Sequence, residues 1–230
     1  VLLPFQELAY RTGATLKWFD LTEDGRIRSD TAGEVITERT KVVAITHVGN
    51  TTGAITDIAP IVRRAHEVGA VFVLDACQSV PHLAVDFHAL DVDFAAWSAH
   101  KMYGPTGVGF LYGKREMLEA LPPANFGGSM VELARMDQPA QYMEPPARFE
   151  AGTQPVAQVV AAGVAAEWMM GVGMANIEAH ERTIAAELLK LGDIDGVRIL
   201  GPRENVNRIG TVAFDVAGVH PHDVGQFIDA

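Results

Sequence analysis

Two oppositely charged residues, Asp75 and Lys101, follow apolar runs of the sequence and are the first candidates for chemistry. Asp75 ends the run that begins at Val71, so its carboxylate should be partly shielded from water and needs a cation or hydrogen bonds. It either faces a cationic group of a ligand or acts as a helix N-cap for the turn that follows. Lys101 follows Ser98 and His100. A lysine in a buried cleft can bind a carbonyl compound as a Schiff base, whereas most lysines are solvated surface residues.

The glycine-containing run 104–107 follows Lys101 and is a candidate phosphate loop. A nucleotide-binding P-loop places its lysine after the glycines, in the order Gly-x-x-x-x-Gly-Lys-Ser/Thr. Because the lysine comes first here, we do not expect a nucleotide P-loop. The run instead indicates a turn that glycine keeps open beside Lys101.

Short buried strands must position these residues. Three apolar runs, 41–47, 71–75 and 93–98, are typical of parallel strands covered on both faces. A helical pattern over 57–68 separates the first two, which predicts βαβ units. The carboxyl ends of parallel strands meet at one edge of a sheet, where α/β proteins bind ligands. We therefore expect three polar segments to converge on one crevice: 47–52, 75–79 and 98–107.

The rest of the chain predicts helices, further strands and the start of a second domain. The patterns predict strands over 14–19, 107–112, 197–200 and 209–216, and helices over 3–11, 32–39, 155–170, 174–191 and 222–230. Residues 122–146 predict a long loop outside the core. The apolar stretch 156–170 is shorter than the roughly 20 residues that span a bilayer, and we expect a buried helix. A boundary near residue 195 divides the chain into domains of residues 1–195 and 196–230.

Composition excludes several classes of protein and partner. Of the 230 residues, 48% are hydrophobic and 20% are charged, which excludes disordered and low-complexity chains. The formal net charge of −11 repels polyanions, so we expect no nucleic-acid partner. The single cysteine, Cys77, excludes an internal disulfide and fits a reducing compartment. No secretory signal is visible, and we expect a cytoplasmic protein without a membrane partner. Because the chain begins at Val1 and ends within a helical pattern, we expect a piece of a longer protein.

Several histidines are candidates for other roles. His220 and His222 are spaced like a metal-binding pair, but histidines before a helix more often are solvated or cap it, so we expect no metal site. His47 ends the first buried strand. It either supports the crevice from behind or is a strand-end residue whose ring is hydrogen bonded within the protein.

Three segments together resemble one known family. They are Asp75-Ala76-Cys77-Gln78-Ser79, the run from Ser98 to Gly107 (Ser-Ala-His-Lys-Met-Tyr-Gly-Pro-Thr-Gly), and Arg148-Phe149-Glu150-Ala151-Gly152-Thr153. In order and spacing they resemble the class V aminotransferase group of pyridoxal-phosphate enzymes, and within it the cysteine desulfurases of the Suf type. The resemblance covers essentially the whole chain. It implies an α/β fold, the large domain of fold type I, with a mostly parallel sheet and helices on both faces, followed by the start of a smaller α+β domain.

The resemblance also implies residue roles around pyridoxal 5'-phosphate. Lys101 would bind the cofactor covalently and move the α-proton of the substrate. Asp75 would keep the ring nitrogen protonated, and Gln78 would bind the ring hydroxyl. Ser98 and His100 would contact the phosphate. Two further residues complete the set: Asn50 at the substrate carboxylate or the ring, and Thr153 at the phosphate of the neighbouring subunit in a homodimer.

The implied reaction releases sulfur from L-cysteine to an enzyme thiol as a persulfide and leaves L-alanine, with a sulfur acceptor or iron–sulfur scaffold protein as partner. The sequence departs from the family in having Ala99 for glycine and Gln154 for proline. We expect Cys77 to be a small packed thiol, because it does not match the family's persulfide-forming cysteine. That cysteine, a ring-stacking histidine and an arginine fall outside the matched positions. The alternatives are a sibling enzyme, either selenocysteine lyase or a transaminase, and a truncated, non-catalytic module for cofactor binding or dimerisation.

Overall fold

A four-stranded sheet forms the centre of the computed structural model, which describes residues 2–229. Its strands are β1 (Val42–Thr46), β2 (Val71–Asp75), β3 (Phe94–Ser98) and β4 (Gly109–Gly113), in the order β1-β2-β3-β4. The first three strands are parallel, and β4 is antiparallel to β3. The α/β class with a mixed, mostly parallel sheet is therefore confirmed. Val1 and Ala230, where the two predicted domains begin and end, lie outside the described residues.

One face of the sheet is covered by helix α3 (Ala59–Glu67), which connects β1 to β2. Ile61 of this helix belongs to the same buried cluster as Phe72 and Leu74 of β2, and none of the three is exposed. Full burial of each such side chain contributes roughly 1.5–3 kcal/mol. Burial alternates along β1 and β2, so the opposite face is only partly covered within the described residues.

Helices α5 (Val156–Val172) and α6 (Met174–Leu189) follow the long loop and meet at Gly173. Both were predicted, but the expectation that the first is buried was wrong. Its small residues Ala162 and Ala165 are buried, whereas Val160 is 63% exposed. Among the described residues no single helix is long and apolar enough to cross a membrane; α5 passes that test only together with Met174–Asp193, at a bend of 77°.

The loop at 122–146 contains two short antiparallel strands, β5 (Val131–Leu133) and β6 (Gln141–Tyr142). The expectation that this segment lies outside the core was wrong at two positions, because Met130 and Pro145 are buried. Helix α4 (Arg115–Ala120) precedes the loop.

The N-terminal elements are α1 (Leu2–Thr12) and the short helix α2 (Ala32–Val35), which ends earlier than the predicted 32–39. The strand predicted over 14–19 is absent: those residues are irregular, and only a single bridge joins Leu21 to Ile27 nearby. A strand needs a hydrogen-bonded neighbour, and the described chain offers this segment none.

The C-terminal elements are β7 (Val197–Leu200), β8 (Ala213–Val216) and α7 (Pro221–Ile228). The two strands pair antiparallel. The strand predicted over 209–216 therefore begins four residues later, because the residues before Ala213 pair with a different loop. The boundary near residue 195 stays a prediction.

Candidate active site

The carboxyl ends of β1, β2 and β3 meet, as the sequence predicted. Thr46 pairs with Asp75, and Asp75 pairs with Ala96. The connection continues past the strands, because the backbone N–H of His47 donates to the carbonyl of Asp75 at 3.0 Å and that of Ala76 donates to Ala96 at 2.9 Å. Paired residues of neighbouring strands project on the same face of a sheet. Asp75 and Ser98 thus share the partly covered face.

Asp75 is half-buried and anchors a turn rather than a helix. Its Oδ1 accepts a hydrogen bond from the backbone N–H of Cys77 at 3.1 Å, and residues 77–82 form turns. This local bond is typical of aspartate at the start of a turn. None of the ion pairs among residues 2–229 includes Asp75, so its charge remains available to a cationic ligand group. The bond agrees with the interpretation of Asp75 as a cap of the turn that follows, and its pairing with a cationic ligand group stays a prediction.

Lys101 lies on a short 3-10 turn, Ala99–Lys101, that directly follows β3. The backbone N–H groups of Met102 and Gly104 both donate to the carbonyl of Ala99, at 2.9 Å each. A Cβ on Gly104 would lie 2.9 Å from that carbonyl oxygen, so the turn requires glycine there. The side chains of Lys101 and His100 are exposed, and that of Ser98 is half-buried.

Cys77 lies among these residues and is held as a neutral thiol. Burial raises its pKa, the carboxylate of Asp75 raises it further, and the nearby Lys101 and Ser98 only partly oppose this. A reactive cysteine needs the opposite environment, one that stabilises the thiolate. The site therefore favours the prediction of a packed thiol over a nucleophile.

Asn50 is exposed at the tip of a tight hairpin, residues 48–55, which we call the Asn50 hairpin. The N–H of Gly49 donates to Ala54 at 2.9 Å, and the N–H of Gly53 donates back to Gly49 at 2.9 Å. The hairpin begins one residue after His47, so it rises from the same edge of the sheet as Asp75.

His47 is 8% exposed, and burial lowers the pKa of its ring. Its Nδ1 is buried without a hydrogen-bond partner among the described residues. The interpretation of His47 as a hydrogen-bonded strand-end residue was therefore wrong. A buried, unpaired nitrogen at the carboxyl edge of the sheet is what a residue supporting a ligand site would present.

The remaining predicted residues differ in how closely they join this group. Gln78 is half-buried in the turn that Asp75 anchors. Thr153 is exposed on a loop that the N–H of Gly152 fastens to the carbonyl of Gly128 at 2.8 Å. No hydrogen bond or ion pair within residues 2–229 links Thr153 to the other candidates, so its role stays a prediction.

These groups suit a phosphorylated aldehyde with a protonated ring nitrogen. Lys101 offers an amine without an ion-pair partner in the described chain, and Asp75 offers a carboxylate with a free charge. Ser98 at the end of β3 and His100 on the turn that follows offer hydrogen-bond donors. The orphaned Nδ1 of His47 adds an unused polar atom at the same edge. Pyridoxal phosphate therefore fits the residues present.

Two cavities lie away from this site. One, of about 210 Å³, is apolar and is lined by Trp97, Met102 and Met169, among others. The other, of about 430 Å³, is lined by Arg26, Asp57 and neighbouring residues. Neither is lined by Asp75 or Lys101, because those side chains lie at the open sheet edge.

The predicted C-terminal histidines act as a cap. His220 precedes α7, and its Nδ1 accepts a hydrogen bond from the N–H of His222 at 3.2 Å. Within residues 2–229 no three metal-ligating side chains are grouped to hold an ion.

Sequence analysis missed two arginines that hold the segment paired with the Asn50 hairpin, Arg208 by local contacts and Arg26 by long-range ones. Arg208 is buried and Arg26 is half-buried, and both donate to backbone carbonyls of residues 202–211. The one signal in the sequence was Arg208, a charged residue directly before the apolar run 209–216, and it did not reveal which groups the arginine contacts.

The chain is similar to known proteins along its whole length. The family model for the aminotransferase class V matches residues 1–230. The chain is 52% identical over 229 residues to a probable cysteine desulfurase 2 of Mycobacterium leprae, covering 99% of this chain and 54% of that protein. It is 41% identical to a cysteine desulfurase of Dickeya dadantii, covering 99% of this chain and 55% of that protein. The chain thus spans about half the length of these curated relatives.

Solved structures show the same fold. The apo cysteine desulfurase of Thermococcus onnurineus superposes with a TM-score of 0.94 at 34% identity, over 99% of this chain and 57% of that structure. The cysteine desulfurase CsdA of Escherichia coli superposes with a TM-score of 0.91 at 35% identity, over 99% and 56%.

Proposed function

We propose, from the premise that this chain belongs to the class V aminotransferase family, that it forms the cofactor-binding part of a cysteine desulfurase. One structural observation carries the proposal. Asp75 and the turn bearing Lys101 follow adjacent parallel strands, and no protein cation pairs with Asp75 among the described residues. The names of the relatives support the choice of reaction.

Six residues would hold pyridoxal 5'-phosphate in one subunit. Lys101 would bind it covalently, and Asp75 would hold the proton on its ring nitrogen. Ser98 and His100 would donate to the phosphate. Gln78 would donate to the ring hydroxyl and Asn50 would face the ring or the substrate carboxylate. Thr153 would complete the phosphate site of a neighbouring subunit.

The bound cofactor would supply an electron-withdrawing ring that stabilises negative charge at the Cα of L-cysteine. The amine of Lys101 would take the proton from Cα and later return one to the product. The sulfur atom would pass to a protein thiol, so that L-cysteine and a thiol give L-alanine and a persulfide. Because Cys77 is held as a neutral thiol, the acceptor would be another cysteine.

The proposal extends to partners and location. The net charge of −11 supports small-molecule and protein partners over nucleic acid. The exposed apolar side chains of α5, Val160 and Trp168 among them, support assembly as a homodimer. The partner would be a sulfur acceptor or an iron–sulfur scaffold protein, and the location would be the cytoplasm. Within the family, the chain would belong to the Suf type.

Cofactor attachment and turnover test this function. The purified protein, loaded with pyridoxal phosphate and reduced with borohydride, should carry the cofactor on Lys101 in a peptide map. With L-cysteine and a thiol reductant it should release sulfide and alanine in equal amounts. Lys101→Ala should abolish both results, whereas Lys190→Ala, at an exposed lysine paired with Glu187, should change neither.

Other products would point to the alternatives. Pyruvate without sulfide would indicate a transaminase, and a strong preference for selenocysteine would indicate selenocysteine lyase. Cofactor bound at Lys101 without turnover of any amino acid would indicate a non-catalytic module. Label at a different lysine, or turnover by Lys101→Ala, would overturn the proposal itself.

A further inference from the structure

A buried arginine without a carboxylate partner lies behind the Asn50 hairpin. Arg208 is 5% exposed, and its guanidinium donates to the backbone carbonyls of Ile209, at 3.2 Å, and of Pro202 and Thr211. Burial lowers its pKa, as does the neighbouring Arg26, and no carboxylate in the described chain offsets this. A buried charge is costly unless several hydrogen bonds compensate it. Residues 202–211, which we call the strap, are therefore held in one shape by this side chain.

The strap is paired with the Asn50 hairpin at residues 207–209. The N–H of Ile55 donates to Asn207 at 3.0 Å, and the N–H of Ile209 donates to Gly53 at 2.9 Å. Between these bonds, Ala54 and Arg208 form an antiparallel bridge. The hairpin is thus bridged by a segment about 150 residues later in the chain.

The fit between the strap and the hairpin is close enough to exclude side chains. A Cβ on Gly53 would lie 2.5 Å from the carbonyl oxygen of Thr211. A Cβ on Gly201, just before the strap, would lie 2.8 Å from the Cβ of Thr52. Two glycines therefore let the backbones touch directly below the hairpin tip.

A second arginine fastens the strap from the other side. Arg26 donates to the carbonyls of Asn207 and Val206, at 2.8 Å each, and pairs with Asp24 at 2.9 Å. No hydrogen bond of either arginine reaches β1, β2 or β3 within the described residues, so replacing one should release the strap and leave the sheet in place.

We propose that Arg208 is a positioning residue for Asn50, because it holds the strap that fixes the hairpin against the site. The hairpin begins at the strand end where the N–H of His47 donates to Asp75, and the strap is hydrogen bonded to Gly53 and Ile55 on its returning arm, so the strap helps to set where the tip lies relative to Asp75. This inference rests on the proposed function, which puts Asn50 beside the ring or the substrate carboxylate. The segment after β7 thereby controls the affinity for the amino acid.

A double-mutant cycle tests the coupling. We compare Arg208→Gln, Asn50→Ala and the double variant as holoenzymes, measuring KM for L-cysteine and the Kd of L-alanine from the cofactor absorbance. Each single change should raise both constants about tenfold, the worth of one hydrogen bond to a charged group. KM and Kd in the double variant should be no higher than in the more affected single variant, because both changes remove the same contact. Arg208→Lys should restore part of the loss.

Multiplying effects in the double variant, or a change in thermal stability alone, would overturn the inference. Arg64→Gln is the matched control, since the Nε of Arg64 also donates to a buried backbone carbonyl, that of Ile36 at 3.2 Å, away from the hairpin. It should lower Tm and leave both constants unchanged. If Arg208→Gln does not fold, Arg26→Gln must raise both constants in its place.

Hydrogen exchange separates this inference from the proposed function. The amides of Gly49 and Gly53 should exchange faster in Arg208→Gln than in Arg64→Gln, whether or not the wild type produces sulfide. If the wild type is inactive but shows this exchange pattern, the proposed desulfurase function is overturned, whereas the role of the strap in holding the hairpin stands. If the enzyme is active but the exchange is unchanged, the role of the strap is overturned and the proposed desulfurase function stands.

Discussion

The carboxylate of Asp75 and the backbone N–H of Cys77 are joined by a 3.1 Å hydrogen bond that closes a turn at the end of β2. The bond uses one carboxylate oxygen, and Asp75 pairs with Ala96 of the neighbouring strand, which Lys101 follows. The bond also places Cys77, the only cysteine of the chain, beside the carboxylate. Burial and the negative charge of Asp75 both raise the pKa of the Cys77 thiol. One local contact thus sets the geometry of a candidate cofactor anchor and the chemistry of its neighbour.

The charge of Asp75, rather than its shape, should matter for catalysis. Asp75→Asn keeps an oxygen for the Cys77 N–H but removes the charge, so kcat/KM for L-cysteine should fall on the order of 10²–10³-fold, as for loss of one partner of a shielded ion pair. Asp86→Asn is the control, since Asp86 accepts from His88 and Ala89 in a similar exposed turn, at 2.9 and 3.0 Å. Equal effects of the two changes would contradict the role of Asp75.

Cys77 should be dispensable for turnover. Cys77→Ala removes a small half-buried thiol, so kcat/KM should stay within about twofold of the wild type, the range of substitutions away from key contacts. Because the raised pKa keeps the thiol protonated at neutral pH, its alkylation by iodoacetamide should be slower than that of free cysteine and should accelerate only at alkaline pH. Loss of persulfide formation in this variant would identify Cys77 as the sulfur acceptor and contradict our assignment.

A buried ion cluster should stabilise the opposite edge of the sheet. Asp93 is 2% exposed and contacts Lys114 at 2.9 Å, His66 at 3.1 Å and the N–H of Phe72 at 2.8 Å. Asp93→Asn should lower the free energy of unfolding by about 3–5 kcal/mol at pH 7, measured in urea. Asp91→Asn, at the exposed partner of the same Lys114, should cost no more than about 1 kcal/mol.

The contribution of Asp93 should depend on pH in a defined direction. Burial alone would raise its pKa, but the contacts from Lys114 and Phe72 outweigh burial, and the pKa is lowered in the folded protein. Its stabilisation is therefore complete above the unfolded value of about 3.9 and is lost as the pH falls through the lower folded value. The difference between wild type and Asp93→Asn should shrink below about pH 4; a constant difference would contradict the ion pair.

The close contact at Gly53 should make that position intolerant of any side chain. Gly53 has a φ of +70°, and a Cβ would lie 3.2 Å from the carbonyl oxygen of Ile209 as well as against Thr211. Gly53→Ala should lower the free energy of unfolding by about 2–4 kcal/mol, from the left-handed backbone and the clash together. Gly163→Ala, in the middle of α5 with no atom within 4 Å of the added Cβ, should instead be neutral or stabilising by up to about 1 kcal/mol. Similar losses in both variants would contradict the proposed packing.

Elements with a local signal were predictable. The run 71–75 became β2 without a change of bounds, and the helix predicted over 57–68 is α3, shortened at both ends. Apolar β-branched runs and helical periodicity act over neighbouring residues, so they can be recognised without knowing the fold. The strand predicted over 14–19 failed because a strand exists only with a partner, which no local pattern supplies.

The sequence by itself determined the α/β class, the strand ends bearing Asp75 and Ser98, and the turn that presents Lys101, because these follow from short runs of adjacent residues. The tertiary structure decided the rest: the orphaned ring nitrogen of His47, the exposed face of α5, and the contact of the strap with the Asn50 hairpin. These features depend on which distant segments meet. Arg26, for example, finds its partners, the carbonyls of Val206 and Asn207, 180 and 181 residues later in the chain, and only the folded structure brings them together.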